Sequence, residues 1–223
     1  MRLTRPASIS IRQLATWAGV IGPILFIAVF TVEGFLRPDY NPISTYISDL
    51  SIGPRGIIQI MNFFIFGLLL FIFSYGLSLE FRTRNRSLYG PRILMLMAIL
   101  LFLVGIFVTD PIGTPLFEMT WQGIVHNIIG SIFFSLCPIS CYVFWRLFRE
   151  YDESRSFQKL TLVVGVIITV GLVAFTVALI GAVLTPNALT DYAGLIQRID
   201  IITFLLWLVA LAWYSRRHLN PLQ

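Results

Sequence analysis

Asp110, His126 and Arg198 combine a carboxylate, an imidazole and a fixed cation, and each stands near the same end of a different apolar segment. A carboxylate beside an imidazole orients the ring and stabilises its charged form, as a general base or a structural clasp both require. Arg198 inside the first turns of a span would act as an anion clamp or as the counter-ion of Asp49 or Asp110. Ser48 adds a hydroxyl that could serve as nucleophile. In the chemistry these types suggest, His126 is the base, Asp110 its orienter, Arg198 the clamp, and Ser48 or a water the nucleophile, with Asp49 beside them.

The segments before and around these residues must bring them together. Asn41-Pro42 is a helix start, because asparagine caps free amides and proline costs nothing at the first helical position. A short interfacial helix is therefore expected over Pro42 to Ser51. Ile43, Tyr46, Ile47 and Leu50 would face apolar neighbours, and Ser44, Ser48 and Ser51 an adjoining polar stripe. Such a helix either caps the mouth of a bundle or lets Ser48 and Asp49 line a pocket there. Glu118, Gln122 and His126 stack on one face if the next helix begins before Glu118. Gln59 and Asn62 share a face suited to interhelical hydrogen bonds, and Glu33 lies near the cluster or at the interface.

The composition decides the solvent. With 57% hydrophobic and 12% charged residues among 223, too few polar groups remain to solvate a globule. A helix needs about 20 apolar residues to cross the hydrocarbon. Six stretches meet or approach that length: Leu14 to Phe35, Gly56 to Leu79, Arg92 to Val108 with a start as early as Leu88, Gly123 to Trp145, Leu160 to Leu184, and Gly194 to Tyr214. The expected fold is an all-α bundle of six transmembrane helices forming one domain. The first stretch has no small-residue cleavage site before Glu33 and reads as a retained span rather than a signal peptide.

Basic residues orient the bundle. Thirteen of the 16, among them Arg2, Arg5, Arg82, Arg84, Arg86, Arg146, Arg149 and Arg216, fall on one side against four acids; the other side carries three against seven. The positive-inside rule makes the first side cytoplasmic, with both termini, in a cell membrane. The basic residues flank spans rather than form a docking face, so the sequence pI near 9.6 implies contact with membrane lipids and no nucleic-acid partner. Tyr40, Tyr46, Trp121 and Tyr192 at one set of ends, and Tyr89, Trp145, Trp213 and Tyr214 at the other, mark the interfaces.

No cofactor is expected. Two-histidine haem needs paired ligands at similar depth, and His218 lies in a tail far from His126. Zinc hydrolysis favours several histidines, and no phosphate loop or dinucleotide fingerprint occurs. The acidic side leaves carboxylate-bound calcium or magnesium open. Cys137 and Cys141, on one face around Pro138, read as packing residues.

The loop Asn41-Pro-Ile-Ser-Thr-Tyr-Ile-Ser-Asp-Leu-Ser, followed by Asn62 and Gly67, the Thr109-Asp-Pro end of the third span, Gly123 with His126, and Gly194-Leu-Ile-Gln-Arg-Ile together resemble the prokaryotic membrane family called domain of unknown function number 998. The likeness runs over most of the chain. Ile47-Ser-Asp is also similar to the Ile-Ser-Asp-Thr-Gly element of the Frag/DRAM/Sfk superfamily, six-span proteins linked to lipid remodelling, although Leu50 and Ser51 replace Thr-Gly. The resemblance implies six spans and a set of positions, but no reaction. The pattern often carries Glu before the last-span Arg; here Gln197 stands there.

Three functional classes follow. The first is a membrane enzyme acting on a lipid or isoprenoid head group at the outer leaflet, with a lipid-like substrate. The second is a non-catalytic lipid-binding or scaffold protein whose polar residues lock helices together. The third, a transporter, fits less well, because below Asn62 and Asn127 the spans offer mainly Ser, Thr and Gly.

Overall fold

A computed structural model describes residues 11–183 and 187–218. Arg2 and Arg5 among the basic residues counted above, and Leu184 at the expected end of the fifth span, lie outside them. The described residues form six long helices and no strand: α1 (Ile11–Leu36), α2 (Gly56–Thr83), α3 (Tyr89–Ile106), α4 (Trp121–Glu150), α5 (Arg155–Val183) and α6 (Ala193–His218). All six are long and apolar enough to cross a membrane. Each expected stretch corresponds to one helix, extended by up to five residues at the arginine-rich ends, where charged residues continue the helix beyond the apolar run.

Each helix packs on its neighbours in the chain, and α6 returns onto α1, so the six close into a ring. Lipid tails are as apolar as leucine, so the ring is held by close packing and internal polar contacts rather than by hydrophobic burial from water. Its centre is aromatic. Phe26 and Phe66 lie 5.0 Å apart between α1 and α2, and Phe144 meets Trp207 edge-on at 5.6 Å between α4 and α6. Asn62 Nδ2 donates to the Phe26 carbonyl at 3.2 Å, the expected bond between helices, whereas its 3.2 Å bond to Gln59 Oε1 lies within α2.

Both α2 and α4 end in the same way at the arginine-rich end. Asn85 and Asp152 adopt left-handed φ of 51° and 48°, where Asn and Asp pay least after Gly. The next amides, Arg86 and Glu153, reach back to the Phe81 and Phe148 carbonyls at 2.8 and 2.9 Å and close each helix. Arg86 then pairs with Glu153 at 2.5 Å across the two turns, and Arg12 and Arg84 both pair with the buried Glu80. This end is locked by ion pairs. At the acidic end Arg55 makes a two-pronged pair with Glu33, at 3.0 and 2.6 Å, joining α1 to the start of α2.

Between α1 and α2 the expected helix over residues 42–51 shrinks to a 3₁₀ turn at Ile47–Ser51. The reason is tertiary competition for its backbone groups. Tyr40 Oη donates to the Tyr46 carbonyl at 2.8 Å, Arg198 to the Thr45 carbonyl at 2.8 Å, and Leu195 N to the Ile43 carbonyl at 2.8 Å, while Ile47 N donates to Gln197 Oε1 at 2.8 Å. An α-helix would need those same carbonyls and that amide for its own ladder. The segment instead becomes a cap strapped onto the first two turns of α6.

Candidate functional site

The cap roofs a cavity of about 100 Å³ inside the ring. Its walls are apolar, from Phe26, Phe63 and Phe66 of α1 and α2, Leu101 and Val104 of α3, and Phe133 of α4. Polar groups gather at one end: Ser48 and Tyr46 from the cap, His126 and Asn127 from α4, and Gln197 from α6. Asn127 and Ser131 line the cavity and are also exposed, so it opens sideways along α4 toward α5, past Phe134, Phe175 and Leu179. Gly130 lies on this opening, and a Cβ added there would meet nothing within 4 Å. A laterally open apolar chamber with a polar end suits an amphiphile whose chain enters from the bilayer.

His126 is buried, and its Nδ1 lies 2.7 Å from the Phe107 carbonyl. A carbonyl only accepts, so in the neutral ring Nδ1 carries the hydrogen and Nε2 is the basic nitrogen. Phe107 can do this because α3 ends at Ile106, leaving a carbonyl outside the helical ladder. The group that orients His126 is therefore a backbone carbonyl, and the Asp110 carboxylate is used elsewhere. Its two oxygens accept from Thr120 N at 2.8 Å and Thr120 Oγ1 at 3.0 Å, and Thr120 Oγ1 in turn accepts from Gly123 N at 3.0 Å. Asp110 thus braces the N-cap of α4. The same cap starts that helix at Trp121, so Glu118 lies in the preceding turn and does not stack beneath His126.

Arg198 also differs from the expected ion pair. Its Nη1 donates to the Thr45 and Gly194 carbonyls at 2.8 and 3.0 Å, and its Nη2 to the Tyr40 hydroxyl. The guanidinium holds the cap onto α6. Gly194 makes the approach possible, because a Cβ there would come within 2.3 Å of the Thr45 oxygen. Asp49 is buried in the cap, with Oδ2 accepting from Ile112 N at 3.0 Å and Oδ1 unpartnered among the described residues. Burial pushes its carboxyl up to about 6, against the Ile112 amide and the Arg198 charge, which both favour the anion. Tyr46, whose hydroxyl also lacks a partner among the described residues, is pushed up to about 12 by burial and by the nearby Asp49 charge.

Of the five residues singled out by sequence, Ser48 and His126 line one cavity, while Asp49, Asp110 and Arg198 bond to the backbone that shapes it. Gln197 was visible in sequence only as a departure from a pattern, yet its carbonyl fixes the cap and lines the chamber. Asp200 escaped notice among the acids of that side. It is 2% exposed inside the bundle, and the available signal was an acid seven residues into an apolar helix. Cys137 and Cys141 are free and buried. Among the described residues no group of three His, Cys, Asp or Glu side chains could hold a metal ion.

A family model described as "Protein of unknown function (DUF998)" matches residues 20–214, a stretch that contains the cap, the cavity-lining residues, α2 to α5 whole and most of α1 and α6. No curated protein and no solved structure matches the chain.

Proposed function

The chain belongs to the DUF998 family, and on that premise we propose that it is a multi-pass protein of the cell membrane, both termini cytoplasmic, that binds a lipid or isoprenoid amphiphile and acts on its head group at the outer leaflet. The observation that carries this reading is that Ser48 and His126 both line one otherwise apolar, laterally open chamber. The chain of the amphiphile would lie against Phe63, Phe66 and Phe133, and its head group against Ser48, Asn127, Gln197 and His126. His126, held with its hydrogen on Nδ1, would take the proton from Ser48 or from a water as that oxygen attacks. Asp49, Asp110 and Arg198 would keep the roof and the α4 cap in place, as positioning residues.

A second reading, a lipid-binding or scaffold protein without chemistry, draws on the same engagement of Asp49, Asp110 and Arg198 with backbone groups. Replacing His126 by Gln distinguishes the two, since Gln retains a donor and an acceptor without a titratable ring. Catalysis predicts normal membrane abundance and melting, with the knockout lipid profile left unrestored on complementation. A folded variant that restores the wild-type profile would leave the scaffold reading standing.

A further inference from the structure

Asp200 lies seven residues into α6, roughly 10 Å below its start at 1.5 Å per residue. It is 2% exposed, and neither carboxylate oxygen has a hydrogen-bond partner among the described residues. It lies beside the inner end of the cavity, between the lining residues Gln197 and Ile201 of α6, without lining the cavity itself. Phe133, Phe175 and Ile201 line the cavity, and the residues one turn deeper on α4 and α5, Cys137 and Gly171, are those that Asp200 approaches. A Cβ on Gly171 would stand 2.3 Å from Oδ1, so α5 leaves the carboxyl just enough room and offers it no donor.

A carboxylate left charged and unpaired within a span is costly, and such groups mark ion or proton pathways. The surroundings decide which. The titratable groups facing Asp200 are the two free thiols Cys137 and Cys141 of α4, while the charged residues of the packed helix α1, Arg12 and Glu33, pair with Glu80 and Arg55. In the cap, Asp49 is bonded to Ile112 and Arg198 to carbonyls. A hard metal cation needs about six oxygens, and none of these neighbours supplies them. A proton needs one.

We propose that Asp200 is a proton-binding carboxyl in the membrane interior that exchanges with the outside through the cavity beside it. This adds a proton-linked activity to the site, independent of which amphiphile occupies the chamber.

The test uses the full-length protein in lipid nanodiscs and N,N′-dicyclohexylcarbodiimide, an apolar reagent. The O–H of a carboxylic acid adds across its C=N bond, the oxygen to carbon and the proton to nitrogen, and the adduct rearranges to a stable N-acylurea without a leaving group. Peptide mapping should find the adduct at Asp200 in preference to the exposed Asp39 and Glu118, falling severalfold as the pH is raised, and D200N should lose it. Infrared spectra of D49N, in which the raised carboxyl of the cap is removed, supply a reading that leaves Asp200 intact: a protonated-carboxyl carbonyl band should remain in that variant and disappear as the pH is raised. The proposal is overturned if Asp200 stays unmodified in the folded protein while reacting after unfolding in detergent, if its labelling is independent of pH, or if no such band responds.

Discussion

Gly130 gives the sharpest handle on the chamber, because blocking its mouth there should not strain the fold. A Cβ at this position meets nothing within 4 Å, so a leucine side chain has open space ahead of it along the cavity mouth. Its four carbons, each about the size of a water occupying about 30 Å³ of liquid, add on the order of 100 Å³. That is enough bulk to block the mouth between α4 and α5, although not to fill the chamber behind it. Glycine inside a helix costs about 0.5–1 kcal/mol relative to alanine, and leucine is nearly as good a helix former. Gly130→Leu should therefore leave the protein as stable as the wild type or more so. For a chain of this size, about 2–4 °C per kcal/mol gives a rise in Tm of roughly 1–4 °C. Gly130→Ala carries the same backbone benefit with most of the chamber left open. The assay pairs melting by intrinsic fluorescence with mass spectrometry of lipids extracted from the purified proteins. Wild type and G130A should carry bound amphiphile, and G130L should lose it while melting no lower. A G130L protein that keeps its lipid at wild-type stoichiometry would refute the chamber as the binding site, and one that melts several degrees lower would refute the open geometry at Gly130.

Single cysteines at Asn85 and Asn187, in a variant with Cys137 and Cys141 replaced by alanine, should label from the cytoplasmic and the outer side respectively; labelling from one side only rejects the topology. The Asp49 carboxyl is raised to about 6 in the folded protein against an ordinary 3.8. The folded state thus binds the proton more tightly than the unfolded one, so this contribution is complete below about pH 4 and lost as the pH climbs through about 6. Two pH units correspond to about 3 kcal/mol at most, and D49N should flatten that part of the pH–Tm curve; an unchanged curve removes Asp49 as its source. Arg198→Lys keeps the charge but loses the fork that reaches Thr45, Gly194 and Tyr40 together. Amides of residues 41–51 should exchange with deuterium at least tenfold faster in R198K, while α2 to α4 remain protected; equal protection of the cap would show that Gln197 and Leu195 suffice to hold it.

The six helices were legible in the chain because a run of some 20 apolar residues is a local property that no neighbour can overrule in a membrane. Leu14 to Phe35 became Ile11–Leu36, and the short third segment began at Tyr89, beside the early start its flanking residues allowed. The residue types of the site were legible too, since charged and polar groups stand out in such segments. Their partners were not. His126 faces a carbonyl released by the end of α3, Asp110 braces the cap of α4, and Arg198 strips carbonyls from a segment whose own sequence spells a helix. Each of those outcomes depends on helix rotation, on where a ladder of backbone bonds stops, and on which free carbonyl then lies within about 3 Å, quantities that arise only when six helices are packed together. Asp200 makes the same point in reverse. Its letter was plain in the sequence, but only the closing of α4, α5 and α6 around it leaves a buried carboxyl with no hydrogen-bond partner among the described residues.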